Sequence, residues 1–143
     1  MNVSNLARPA VQLNQIWNAV KNGDLEDFKR LTLLYGNTIP VISGWTPMDF
    51  AAFHGHLDIV KWYAEILEDP NPARITNDEF NGRTPMHLAA QKGHYDIVVF
   101  LSQLVNDTNP SDQNGYTPLH QAATKRTFGL KCILRGMLGS YFY

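Results

Sequence analysis

One self-similar block constrains this chain more than any other feature. Gly44–Val60 laid over Gly82–Val98 gives eleven identities in seventeen positions: Gly, Thr, Pro, Met, Ala-Ala, Gly-His and Asp-Ile-Val. A looser copy opens at Gly115, and the three Thr-Pro pairs, at 46, 84 and 117, stand 38 and 33 residues apart. Such a period marks a stacked array, because one short unit cannot bury its apolar face and needs neighbours to do so.

Each copy reads as a turn, a helix, a tight connection and a second helix. Thr46, Thr84 and Thr117 suit the N-cap, where the hydroxyl accepts from a free N–H of the first turn. The proline behind each stands at the first helical position, where no N–H is needed and φ is already helical. Thr46-Pro-Met-Asp49 also reads as a capping box, with an acidic group at the helix's positive end. Ala51-Ala52, Ala89-Ala90 and Ala122-Ala123 keep the first helix thin, and Gly55 and Gly93 end it in a left-handed conformation. The second helix carries the apolar load: Leu57, Ile59, Val60, Tyr63, Ala64 and Leu67 in one copy, Tyr95, Ile97, Val98, Leu101 and Leu104 in the next. At about 1.5–3 kcal/mol per buried large side chain, contacts between such faces dominate stability.

A period near 33 with Thr-Pro-Leu-His-x-Ala, here Thr117 to Ala122, resembles the ankyrin repeat. The resemblance runs from about Asn14 to Leu138 and is strongest in the second and third copies. It implies an all-α ankyrin-repeat solenoid of about four helix–turn–helix units with short β-hairpin loops. The expected repeats are about 11–36, 44–68, 82–106 and 115–138, preceded by a disordered segment 1–10 and followed by a tail 139–143. In the degenerate first repeat Gly23 aligns with Gly55 and Gly93. That puts Asn14 in the threonine slot, Trp17 in the histidine slot and Ala19-Val20 in place of Ala-Ala, and Leu25–Leu34 supplies the second helix. Its polar dress suits a terminal cap; the other reading is an unrelated N-terminal helical pair. The fourth repeat loses its pattern after Ala123, with Arg126-Thr127 where Gly-His is expected, and ends on aromatic Tyr141-Phe-Tyr. Either that tail folds back as a cover, or the chain is a fragment or internal scaffold of a larger ankyrin protein.

The excess of five residues between the second and third copies falls in the stretch from Asp69 to Thr76, where Pro70 and Pro72 forbid helix and favour an extended loop. Its length alone argues for no role, since surface insertions cost little.

Catalysis finds no support. The five histidines recur in repeat slots rather than converging: His54 and His56 flank a helix-ending glycine, His94 repeats the second of them, and His87 and His120 share one slot. The resemblance gives the His87 and His120 slot a structural job, bonding locally and tying adjacent hairpins. Cys132 stands among apolar neighbours as the only cysteine, which excludes an internal disulfide framework and suggests a reducing compartment. No phosphate loop is present. Expected, then, are no cofactor, no metal, no enzyme activity and no small-molecule substrate. Twelve basic against thirteen acidic residues, net −1, argue against a dedicated nucleic-acid surface. The cluster Lys125, Arg126, Lys131 and Arg135 is the part of the chain that would contact nucleic acid or anionic lipid. No apolar run approaches the roughly 20 residues of a membrane span, so a cytoplasmic or nuclear monomer is expected.

Family resemblance also implies where a protein partner lies: on hairpin tips and the concave face of the first helices. Those positions are Ile42, Ser43, Trp45, Phe53 and His54 in the second repeat; Phe80, Asn81, Arg83, Gln91 and Lys92 in the third; Gln113, Asn114, Tyr116, Thr124 and Lys125 in the fourth. Trp45, Phe80, Arg83 and Tyr116 are of types that dominate or enrich interfaces and would form a row along one edge; in the other reading Trp45 and Tyr116 brace the hairpins. As a class, ankyrin hairpins are also hydroxylated at an asparagine six residues before the hairpin glycine. That position is Asn109 in the fourth repeat and Thr76 in the third, with Leu101 and Asp107 upstream of Asn109 and Thr108 where an aliphatic residue is preferred.

Overall fold

The computed structural model describes residues 4–36, 39, 41–73 and 81–124, with side chains from residue 13 to 123. Among them are seven helices: α1 (Ser4–Asn22), α2 (Leu25–Tyr35), α3 (Pro47–His54), α4 (Leu57–Ile66), α5 (Pro85–Lys92), α6 (Tyr95–Ser102) and α7 (Pro118–Thr124). The first helices α1, α3, α5 and α7 pack one on the next, the second helices α2, α4 and α6 form a parallel row, and the two helices of each of the first three repeats pair. The solenoid architecture is as the repeat implies. Phe80, Lys125, the basic C-terminal cluster, Cys132 and the tail lie outside the described residues.

Local chemistry sets the helix ends. The Thr46 Oγ1 accepts from the Asp49 N–H at 3.1 Å while the Asp49 carboxylate accepts from the Thr46 N–H at 2.9 Å. In α5 the same reciprocal box closes with His87, whose Nδ1 accepts from the Thr84 N–H at 3.1 Å. Helix α1 departs from expectation. It begins at Ser4, inside the segment read as disordered: Ser4–Asn22 holds no glycine, and its single proline, Pro9, in the second turn, costs the helix one hydrogen bond without ending it.

One buried cluster runs through every repeat, from Ile16 and Val20 through Phe28, Met48, Ile59, Val60 and Tyr63 to Met86, Ile97, Leu101 and Ala122. Two residues read into the apolar face fall off it. Tyr95 is the first residue of α6 and Leu104 lies beyond its end, and both are about half exposed.

The inter-repeat insertion also sits differently from the count along the sequence. The Asn109 Oδ1 accepts from the Leu119 N–H, in the first turn of α7, at 3.3 Å. Asn71, 8% exposed, does the same for the Met86 N–H of α5 at 2.9 Å. Each asparagine's own N–H donates to an aspartate two residues earlier, Asp69 or Asp107. Asn71, and not Thr76, is therefore the structural counterpart of Asn109, and the five extra residues follow it. Thr76 itself lies outside the described residues.

Glycines at the repeat joints separate two costs that usually come together. Gly36 and Gly55 both have positive φ, +93° and +82°. A Cβ at Gly36 would meet nothing within 4 Å, whereas one at Gly55 would lie 2.6 Å from the His94 ring. That ring is held in place, with Nε2 donating to the Phe53 carbonyl at 3.1 Å. Gly36→Ala is expected to cost about 1–2 kcal/mol, the left-handed penalty alone. Gly55→Ala should lose about 1 kcal/mol more through overpacking. Urea titration of the two variants checks the difference; equal losses would mean that the repeats are not held this closely.

Candidate functional site

Rings gather where the first helices of repeats one to three meet the second hairpin. Trp17 of α1 meets Phe50 of α3 edge-on at 5.0 Å, and Trp45 meets Phe50 and Phe53, each at 5.5 Å. His54 continues the group against Phe50 and Phe53, and the Lys92 Nζ of α5 stands 4.5 Å from the centre of the Phe53 ring. Spacing explains the gathering. Phe50, Phe53 and His54 are three and four apart on one helix and so share a face, as Asn14, Trp17 and Lys21 do on α1. Asn14, Trp17, Ile42, Ser43, Trp45 and Phe50 line an open pocket of about 320 Å³.

The second hairpin is a two-residue turn. Ile42 and Trp45 exchange backbone bonds at 3.0 and 2.9 Å, and the central Ser43 and Gly44 have φ of +52° and +79°. Positive φ at both centres is the type I′ geometry that suits a hairpin's twist. It leaves Ile42 and Ser43 exposed at the tip and turns Trp45 back onto the rings.

The third and fourth hairpins are locked to each other. The Asn81 carbonyl accepts from the Gln113 N–H at 3.1 Å, and their side chains bond at 2.7 Å. Arg83 binds the Asp112 carboxylate at 3.3 Å and reaches Gln91 at 3.4 Å; its side chain is only 13% exposed. Asp112, fully buried in its side chain, also accepts from the Asn114 and Tyr116 N–H groups, both at 2.9 Å. Arg83 therefore spends its guanidinium bracing two hairpins. Gln113, Asn114 and Tyr116 remain exposed at the fourth tip, with Tyr116 edge-on to His120. Thr124 is the last residue of α7, and Lys92 is exposed at the end of α5.

Four histidines act as stitches or caps. The His87 Nδ1 accepts from Thr84, so its Nε2 carries the proton and donates to the Tyr116 carbonyl at 2.9 Å, joining the third repeat to the fourth hairpin. His120 repeats the local half of this with Thr117. His56 and His94 reach back from the start of α4 and α6 to the Lys21 and Phe53 carbonyls of the preceding repeats, at 2.9 and 3.1 Å. His54 is different: burial, then the nearby His56, Lys21, His94 and Lys92, hold its pKa below the usual imidazole value. Among the described residues no three His, Cys, Asp or Glu side chains are placed to hold a metal, and no helix is long and apolar enough to cross a membrane.

The sequence positions thus divide. Trp45, Phe53, His54 and Lys92 converge on the ring cluster, Ile42 and Ser43 border it at the tip, and Asn81, Arg83 and Gln91 belong to the brace with Gln113. Trp17 and Phe50 were missed. Trp17 was assigned only to a histidine slot, and Phe50 aligns with Leu88, which is 1% exposed. The three-residue spacing of Phe50 and Phe53 was the signal available.

Repeated capped helix pairs, stitched by histidines and edged by hairpins, define a stacked-repeat binding scaffold. A family model described as ankyrin repeats (3 copies) matches residues 16–103 and 63–137, and the chain belongs to the ankyrin-repeat family. Ankyrin repeats in general are protein–protein interaction modules and typically non-enzymatic. No curated protein matches the chain.

Proposed function

We propose that this chain binds a protein partner across its first-helix face and hairpin edge, without catalysis. The ring cluster carries the reading. Trp17, Trp45, Phe50 and Phe53 are large rings left only partly buried at the edge of the apolar core. Aromatic side chains in such positions are the usual anchors of interfaces. Held by capped helices and mutual edge contacts, they form a preformed surface that avoids much of the ordering cost of binding. The sole cysteine supports a cytoplasmic or nuclear setting.

Affinity capture from a lysate tests this, using the intact chain beside a Trp45→Ala/Phe53→Ala variant shown by circular dichroism to be folded. The expected result is a protein retained by the first bait and lost from the second. Equal retention would move the interface elsewhere, and retention of nothing specific by either would count against the reading altogether.

A further inference from the structure

The net charge of −1 hides an uneven placement of the carboxylates between the two helix rows. Among the described residues the carboxylates of Asp24, Glu26, Asp27, Asp58, Glu65, Glu68, Asp69, Asp96 and Asp107 all lie on second helices or the loops flanking them. Two others lie on the first-helix and hairpin side, and both are spent internally: Asp49, 1% exposed, caps α3, and Asp112 is buried against Arg83. Lys21 stands in the last turn of α1, one turn beyond Trp17, and Lys92 ends α5 with its Nζ near the Phe53 ring; both are exposed. Both are close enough to His54 to act on its charge.

We propose that the pocket between Trp17, Trp45 and Phe50 receives one apolar side chain of an extended acidic segment of a protein partner, whose carboxylates lie against Lys21 and Lys92. The inference rests on the protein-binding reading above and adds the partner's chemistry. Size fits: about 320 Å³ is at the small end of ligand pockets, which run from about 300 to 1,000 Å³, and suits one large side chain with adjoining backbone. Polarity fits as well. None of the six lining residues is charged, so among the described residues a lysine or arginine would enter near like charges with no carboxylate in the lining to meet it. The Trp17 indole N–H is buried without a hydrogen-bond partner, so the pocket meets Trp17 through its apolar ring. A phosphate backbone would need a denser row of cations than the described residues place here.

Selection of a random dodecapeptide display library on the intact chain, with a Lys21→Glu/Lys92→Glu bait in parallel, tests the proposal. The enriched peptides should be acidic around one large apolar residue, and the strongest should bind the variant on the order of tenfold more weakly. Its addition should move the indole N–H resonances of Trp17 and Trp45 and leave that of Trp62, on the other helix row, in place. Enrichment of neutral or basic peptides, no enrichment, undiminished binding to the variant, or displacement of the peptide by an oligothymidylate would each overturn it. If lysate capture depends on Trp45 and Phe53 while the selected peptides are not acidic, this inference falls and the protein-binding reading stands.

Discussion

Phe28→Ala is expected to lower the unfolding free energy by about 3–5 kcal/mol, the usual cost of emptying a buried aromatic site. Phe28 is fully buried and meets Trp62 and Tyr63 of α4 edge-on at 5.6 and 5.4 Å. Its loss therefore removes packing inside the first repeat and one of the contacts that join that repeat to the second. Because a repeat stack is stabilised mainly between neighbours, the first repeat should then unfold ahead of the rest. Urea titration followed by helical circular dichroism would show an earlier and broader transition. Leu33→Ala, at a side chain 66% exposed on the same helix, should stay within about 0.5 kcal/mol of the parent. A loss below about 1 kcal/mol for Phe28→Ala would mean that the first repeat does not support the stack.

His87→Ala should cost about 3–4 kcal/mol, since three polar groups lose their partner at once in a buried site. The Thr84 N–H and hydroxyl both address Nδ1, and the Tyr116 carbonyl accepts from Nε2. His120→Ala, at an exposed ring bonded to Thr117, should cost about 1 kcal/mol. The contrast is one of burial, because the slot and residue type are the same.

Acid supplies a second readout at His87. Burial is the largest influence on it and lowers its pKa below 6.5, outweighing the Tyr116 carbonyl and Asp112. A histidine with a depressed folded pKa stabilises fully above its unfolded value. Below that value the unfolded chain takes up a proton that the folded chain refuses, and stability falls until the folded pKa is passed. The gap between the parent and His87→Ala should therefore narrow as pH drops below about 6.5. A gap that stays constant from pH 7.5 to 5 would contradict the Nδ1-acceptor arrangement.

The array, its helix pairs and most helix ends were legible because they depend on residues close in sequence. A threonine followed by proline, or a glycine after Ala-Ala-x-x, fixes its own turn whatever surrounds it. That is why Thr46, Thr84, Gly55 and Gly93 could be placed by inspection, and the structure puts caps at each of them. The start of α1 was not legible in the same way, since no breaker residue marks it.

The face was decided by contacts between residues some thirty apart, which no local pattern encodes. Arg83 looks like an interface arginine until Asp112, 29 residues later, is seen to hold it. Thr76 occupies the counted position of Asn109 until the hydrogen bond from Met86 shows that Asn71 fills it. Trp17, Trp45 and Phe50 come from two repeats and a hairpin and meet only once the stack forms. Local propensity and capping determined that this chain is a stack of helix pairs. Packing between repeats decided which polar side chains are spent inside it, and which rings and cations are left at its surface.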